Sequence, residues 1–90
     1  MTQEDPGKEK GLKVQISPNP FEGHFNLYIT ASYEQPATIR VLDIHGRIAE
    51  QYQKVAVTSN LSLGNRLPGG LYFVEVLQGS RRKMVKVIKL

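Results

Sequence analysis

Short runs in which apolar and polar residues alternate constrain this chain more than any other feature. The first run extends from Leu12 to Ile16, and the same spacing returns over 24–30 and, with one change of phase, over 37–44. A period of two is typical of a β-strand with one buried face. No stretch places apolar residues at the i, i+3, i+4 spacing of an amphipathic helix over three turns. The pattern therefore predicts an all-β chain.

The last third of the chain holds the densest of these runs. Residues 71–77 are apolar in both phases, which predicts a strand near the middle of a sheet or between two layers. A short turn at 78–80 separates this strand from the run 84–90, and the two together predict a hairpin. Because the apolar pattern continues to the last residue, we expect the terminus to be docked as a strand.

The run 37–44 changes its apolar phase after Val41. This change predicts either a β-bulge that shifts the phase or a strand that is covered on both faces. The dipeptide His45-Gly46 follows, and a Gly at the second of two turn positions favours a tight two-residue hairpin. In such a loop the facing pairs are Ile44 with Arg47 and Asp43 with Ile48.

The spacing of the runs and their turn signals predicts an immunoglobulin-like antiparallel β-sandwich of about seven strands. The Cys and Trp hallmarks of immunoglobulin domains are absent from the sequence. Residues 1–10 are polar and contain Pro6 and Gly7, so we expect a flexible linker or tail there and one folded domain over 11–90. The first ten residues also lack the apolar segment of a secretory signal, so we expect no entry into a Sec pathway by this chain alone.

Composition narrows the function classes. With 40% hydrophobic and 22% charged residues, the chain has the composition of a soluble globular domain. The absence of Cys excludes disulfides, thiolate nucleophiles and Cys metal sites. The net charge of +4 is uneven, because the last ten residues hold five basic side chains and no acid: Arg81, Arg82, Lys83, Lys86 and Lys89. Such a stripe can attract nucleic acid or anionic lipid, but lysines on an exposed strand also oppose edge-to-edge aggregation, which is the interpretation we favour.

Few residues point to catalysis or to a cofactor. His24 and His45 have no nearby Cys, His or paired carboxylates with which to form a metal site, so we expect exposed histidines. The dipeptide Gly69-Gly70 opens a strand, whereas phosphate-binding Gly loops precede a helix. The tyrosines are spread over separate strands, and packing explains them more simply than a sugar or base platform does. We therefore expect no enzyme, no metal and no cofactor.

Four segments are distinguished by particular residues rather than by periodicity: Val14–Phe21 (VQISPNPF), Val41–Arg47 (VLDIHGR), Leu67–Tyr72 (LPGGLY) and Lys86–Lys89 (KVIK). In this order and spacing they resemble the type IX (Por) secretion system C-terminal sorting domain. The resemblance extends from about Gly11 to Leu90.

The resemblance implies a non-catalytic C-terminal secretion signal of a protein exported by a Gram-negative bacterium. The cargo lies N-terminal to the domain and crosses the inner membrane by a separate signal, after which the outer-membrane translocon recognises the domain. In many members a sortase-like protease then removes the domain and joins the cargo to anionic lipopolysaccharide. We therefore expect periplasmic transit followed by a cell-surface or extracellular location, with the type IX translocon and the protease as partners and no nucleic acid.

Under this resemblance we expect the terminal strand to carry recognition: Lys83, Met84, Val85, Lys86, Val87, Ile88, Lys89 and Leu90. The other motif residues are expected to serve the fold: Pro18, Asn19, Pro20, Phe25, Asp43, Gly46, Arg47, Leu67, Gly70, Tyr72 and Gly79. Among them, the two prolines form a rigid corner and the charges of Asp43 and Arg47 brace a turn at Gly46. The alternative is an immunoglobulin- or fibronectin-like accessory module that binds carbohydrate or protein on an exported enzyme, which a groove of clustered aromatic residues would favour.

Overall fold

The structure, a computed structural model, describes residues 11–90, and the linker predicted for 1–10 lies outside the described residues. Two antiparallel sheets form a sandwich, which confirms the predicted all-β fold. Within 11–90 there is no helix that is long and apolar enough to cross a membrane. The strands are β1 (Leu12–Ser17), β2 (Phe25–Ala31), β3 (Ala37–Leu42), β4 (Ile48–Val55), β5 (Ser59–Leu63), β6 (Gly70–Gln78) and β7 (Arg81–Lys89).

The three-stranded sheet has the order β1-β2-β5, and the four-stranded sheet has the order β4-β3-β6-β7. Strand β6 therefore lies inside its sheet, as the dense run 71–77 predicts. Strand β7 is an edge strand that pairs with β6 along its whole length, from Gly70 opposite Lys89 to Gln78 opposite Arg81. The predicted docking of the terminal strand is confirmed.

The core fills the space between the two sheets. Alternate residues of β2, β3 and β6 point inward and are buried, so a period of two in the sequence becomes a single buried layer. Phe21 and Phe25 contact each other edge to face, with ring centroids 4.9 Å apart. The buried apolar side chains are Leu12, Phe21, Phe25, Leu27, Ile29, Ala37, Ile39, Val41, Leu63, Leu67, Tyr72, Val74, Val76 and Val87.

The β3–β4 hairpin corrects the prediction of a two-residue loop. The Asp43 N–H donates to the Arg47 carbonyl (2.9 Å), so three residues form the loop and Asp43 faces Arg47 rather than Ile48. The two-residue type I′ turn requires a positive φ at both central positions. Only Gly46 has one in this loop (φ 81°), which fits a type I turn followed by a Gly bulge.

The phase change after Val41 also has a different origin from the one predicted. Strand β3 alternates regularly. Each bulge is an extra residue in its partner β4, opposite the step from Ala37 to Ile39 and the step from Val41 to Leu42. The residues in the second phase simply face outward. Within 11–90, β6 lies inside the four-stranded sheet, as the first of the two alternatives for the run 71–77 predicts, and no other described strand packs on its outward face.

The antiparallel pairings place the loops at two opposite poles of the sandwich. The C-terminal pole holds the loops 18–24, 43–47 and 64–69 together with Leu90. The opposite pole holds Gly11, where the described chain enters the fold. The nine residues of β6 separate the poles by about 30 Å, at roughly 3.3 Å per residue.

Candidate recognition site

The terminal strand presents two different faces and one outer edge. Its odd-numbered residues point toward the core, with Val87 fully buried opposite Tyr72, and its even-numbered residues point outward. In an antiparallel pair, the backbone groups of alternate residues point away from the partner strand. The N–H and C=O of Ile88 bond to the loop 18–24 on the outer edge of β7. The residues whose backbone groups point away from β6 are therefore Arg82, Met84, Lys86 and Ile88.

Asn19 binds the terminal strand through both ends of its side-chain amide. Its Nδ2 donates to the Lys86 carbonyl (2.9 Å), and the Ile88 N–H donates to its Oδ1 (3.1 Å). These are the two bonds that a neighbouring strand would make at this position. The flanking Ser17-Pro18 and Asn19-Pro20 bonds are both cis.

The backbone of Phe21 continues this contact beyond Asn19. The Phe21 N–H donates to the Ile88 carbonyl, and the Leu90 N–H donates to the Phe21 carbonyl, both at 2.9 Å. Phe21 thereby forms a parallel bridge with Lys89, whose ammonium lies 5.3 Å from the Phe21 ring centroid. We call Asn19 and Phe21 together the clasp. It occupies the outer edge of β7 from Lys86 to the end of the chain.

The clasp is anchored in the core by the Phe21 ring. This ring is 1% exposed and packs on Phe25. Gly64 lies against both rings with φ 87°, and a Cβ placed there would lie 2.9 Å from Phe25 and 3.1 Å from Phe21. Only Gly suits this position, because it tolerates both the left-handed backbone and the close approach.

The loop 43–47 is held by the carboxylate of Asp43. Its Oδ1 accepts from the N–H groups of His45 (2.8 Å) and Arg47 (2.9 Å), and its Oδ2 accepts from the Arg47 Nε (2.9 Å). Hydrogen bonds to the Arg47 and His45 N–H groups, together with the Arg47 charge, outweigh desolvation and lower the pKa of Asp43 below its ordinary value. The Arg47 side chain remains 76% exposed.

The loop 64–69 completes the C-terminal pole. Leu67 is buried, and the Tyr72 hydroxyl donates to the Pro68 carbonyl (2.7 Å), which fixes the entry into β6. A Cβ on Gly69 would lie 3.6–3.7 Å from the backbone of Lys89 and Leu90, so this loop lies against the chain end. An open groove of about 350 Å³ separates the loop from Ile44, His45 and Arg47.

A charged cluster lies on the outward face of the same sheet. Arg40 and Arg82 flank the buried carboxylate of Glu75, each with a 2.6 Å contact to one of its oxygens. Burial opposes ionisation of Glu75, but the hydrogen bonds from Arg82 and Arg40 outweigh it and lower the pKa of the carboxyl below its ordinary value.

The predicted basic stripe is divided by the strand geometry. Arg82 is paired with Glu75, and the Arg81 guanidinium stacks over the Tyr33 ring, 3.7 Å from its centroid. Lys83 and Lys89 belong to the inward phase, whereas Lys86 points outward and is exposed. The basic side chains are thus distributed over two sides of an edge strand, as expected for residues that limit unwanted strand pairing.

Most of the motif residues expected to serve the fold meet at the C-terminal pole. The exceptions are Phe25, whose ring is in the core, and Gly79, which lies at the opposite pole in the β6–β7 turn. Those at or near the C-terminal pole are Pro18, Asn19, Pro20, Asp43, Gly46, Arg47, Leu67, Gly70 and Tyr72.

Sequence reasoning missed three features of the structure. It did not predict that the side-chain amide of Asn19 pairs with the terminal strand, because the two are nearly seventy residues apart in the sequence. It did not identify the cluster around Glu75. It also missed Gln78, which is fully buried and donates from Nε2 to the carbonyls of Tyr33 and Gln35, both at 2.8 Å. A polar residue inside an apolar run was the available signal for Glu75.

His24 and His45 are exposed, and residues 11–90 contain no group of three potential metal ligands. The grooves near Tyr52 and Tyr72 are separate and contain one tyrosine each. A cluster of aromatic residues, which would favour a carbohydrate-binding module, is therefore not found in these two grooves.

Comparison with known families decides the identity of this fold. The family model for the secretion system C-terminal sorting domain matches residues 15–90, from within β1 to the last residue. The chain belongs to this family. The sorting domain predicted from the four sequence motifs is thereby confirmed, and the match includes both the clasp and the terminal strand.

One solved structure is also similar to this chain. The chain is similar to PorZ, described as an essential bacterial surface component of the type IX secretion system of Porphyromonas gingivalis, with a TM-score of 0.66 and 20% identity. The match covers 86% of this chain and 11% of PorZ, so this chain spans about a tenth of the length of that protein. At this identity the likeness shows the fold alone. No curated protein matches the chain.

Proposed function

We propose that this sorting domain is a non-catalytic secretion signal that directs a cargo on its N-terminal side through the type IX outer-membrane translocon. The observation that carries the proposal is the clasp. Asn19 and Phe21 make four hydrogen bonds to the backbone of 86–90, and Gly69 of the loop 64–69 lies against the same chain end. A fold in which separate motifs converge on one strand is suited to presenting that strand in a fixed conformation.

The position of Gly11 supports this role. It lies at the pole opposite Leu90, about 30 Å away at roughly 3.3 Å per residue of β6. A cargo joined before Gly11 therefore leaves the C-terminal pole open to a partner. On this arrangement the protein passes through the periplasm and then reaches the cell surface or the exterior.

We propose strand addition at β7 as the mode of recognition. The clasp covers the outer edge of β7 from the Lys86 carbonyl onward. The backbone groups of Arg82 and Met84 and the N–H of Lys86 point away from β6 along the same edge. An exposed edge of this kind can accept a strand from a partner, with main-chain hydrogen bonds supplying affinity. The proposal therefore places pairing at 82–86, beside the clasped end.

A matched pair of substitutions tests this edge in cells that export the protein. Met84→Pro removes an outward N–H without removing a bond to β6, and Pro is tolerated on edge strands. Met84→Ala is the control, since it shortens the side chain but keeps the N–H. We expect the Pro variant to be folded by circular dichroism yet retained in the cell, while the Ala variant is exported. Normal export of a folded Pro variant would contradict strand addition.

The later fate of the cargo is a further part of the proposal. A sortase-like protease cuts before Leu12 and joins the cargo to anionic lipopolysaccharide, and the domain acts only as a substrate. Leu12 is 1% exposed and already paired with Ala31, so a protease needs the chain ahead of it. Mass spectrometry of released cargo tests this, and a cut within 12–90 would contradict it.

A further inference from the structure

The outward face of the four-stranded sheet differs in character from that of the three-stranded sheet. On β1, β2 and β5 the outward positions are polar apart from one tyrosine: Lys13, Gln15, Ser17, Asn26, Tyr28, Thr30, Asn60 and Ser62. On β3, β6 and β7 more than half of them are apolar: Thr38, Arg40, Leu42, Leu71, Phe73, Glu75, Leu77, Arg82, Met84, Lys86 and Ile88. One molecule thus contains both a solvent-facing sheet surface and a surface of a different kind.

The apolar side chains of this outward face do not belong to the core. Among the described residues, the half-buried side chains that pack against the core come from β1, β2, β4, β5 and the turn at 56–58: Val14, Ile16, Ala31, Val55, Val57 and Leu61. Leu42, Leu71 and Phe73 are half-buried but are not among these core-packed side chains. Burial inside the domain therefore does not account for them.

These side chains form a contiguous patch next to the C-terminal pole. Leu71 faces Ile88 across β6 and β7, Phe73 faces Leu42 across β6 and β3, and Leu42 in turn faces Ile48. Ile48 is 48% exposed and Ile88 is 40% exposed. We call these five residues the outer patch. Exposed apolar patches with a polar rim mark interaction sites on soluble proteins.

The charge around the outer patch favours an acidic partner. Arg40, Arg82 and Lys86 lie on this face with one acid, Glu75, so the face is positive. The two arginines already share Glu75, whereas Lys86, directly opposite Phe73 on the edge strand β7, is exposed beside the outer patch. A second copy of the chain would oppose like charges across the contact, which disfavours self-association through this face.

We propose that the outer patch docks a protein of the export machinery through a surface that combines apolar residues with carboxylates. The inference rests on the proposed function and adds to it, because it places recognition on the face of β6 and β7 as well as on the edge of β7. Apolar contact with Phe73 and Ile88 supplies burial, and a carboxylate beside Lys86 supplies orientation. The clasp fixes the backbone of Ile88 and so fixes the position of its side chain in the patch.

Photo-crosslinking in exporting cells tests the occupant of the patch. A benzophenone amino acid replaces Ile88 in one variant and Tyr28 in the control, because the two side chains are similarly exposed (40% and 37%) on opposite sheets. We expect the position 88 variant to form an adduct with a translocon protein, at a segment containing apolar and acidic residues, and the position 28 variant to form none. An adduct with the cargo, with a second copy or with lipid overturns the proposal, as does equal labelling at both positions.

Charge reversal provides an independent arm. Lys86→Glu places a negative charge on the proposed surface, and Lys13→Glu makes the same change on the polar face, so both variants carry equal net charge. We expect export of the first to fall roughly tenfold and that of the second to stay near wild type, with matching melting temperatures. Equal export of both variants overturns the outer patch. If deletion of 11–90 leaves export unchanged, the secretion function itself fails, which distinguishes the two results.

Discussion

Removal of the Asn19 side-chain amide is the sharpest test of how the fold holds its terminal strand. Asn19→Ala deletes the donor to the Lys86 carbonyl and the acceptor for the Ile88 N–H, at 2.9 Å and 3.1 Å. A hydrogen bond contributes about 0.5–1.5 kcal/mol net, and water can reach these exposed groups after the truncation. We therefore expect a loss of about 1–2 kcal/mol in unfolding free energy, with a fall of roughly 5–12 °C in Tm for a domain of this size.

Hydrogen exchange shows whether the loss is local. The Ile88 N–H loses its partner, so its exchange should accelerate about 5–30-fold, the factor that corresponds to 1–2 kcal/mol. The Val87 N–H points to β6 and should change less. Asn60→Ala, on the exposed outward face of β5, is the control and should alter stability by no more than about 0.5 kcal/mol. If Asn19→Ala leaves both Tm and Ile88 exchange at wild-type values, the clasp does not hold the strand.

Three further predictions concern the fold that supports the site. Gly64→Ala should lower the unfolding free energy measured in urea by about 2–4 kcal/mol, because the new Cβ lies 2.9 Å from Phe25. Gly46→Ala has open space and a similar φ, so it should lower it by only about 1–2 kcal/mol. Equal losses would contradict the steric argument. Gln78→Ala should lose about 2–3 kcal/mol by leaving two loop carbonyls without their donor, and a neutral result would contradict this. The pKa of Glu75 is lowered in the folded state, so the stabilisation by its carboxylate is present above the ordinary value of 4.5 and is lost as pH falls through the folded pKa. Glu75→Gln should therefore be less stable than wild type at neutral pH, and the difference in unfolding free energy should shrink in acid. A difference that stays constant with pH would contradict this prediction.

Periodicity was sufficient to predict the strands because each inner face is one apolar phase. The core positions of β2 and β3, such as Leu27 and Val41, follow directly from alternation. Periodicity could not reveal the difference between the outward faces of the two sheets. An apolar residue on the outward side of a strand predicts burial whether or not another layer covers that side. Phe73 and Leu42 therefore suggested a covering layer that residues 12–89, which form the two sheets, do not provide.

Long-range backbone contacts are the part of the site that the sequence could not reveal. Asn19 and Phe21 contact Ile88 only because β1 and β7 lie beside each other in opposite sheets. The hairpin loop was misjudged for a local reason, because a Gly after His45 suits both a two-residue and a three-residue loop. The side chain of Asp43, which accepts from the His45 and Arg47 N–H groups, is what stabilises the longer one.

Surface delivery of a reporter tests the central claim most directly. A protein with its own inner-membrane secretory signal is fused ahead of residues 11–90 and expressed in cells with either an intact or an inactivated type IX translocon. We predict that protease added outside the cells digests the reporter only when both the domain and the translocon are present. A reporter that stays in the periplasm despite an intact translocon, or that reaches the surface without one, would contradict the assignment of this chain as a sorting signal.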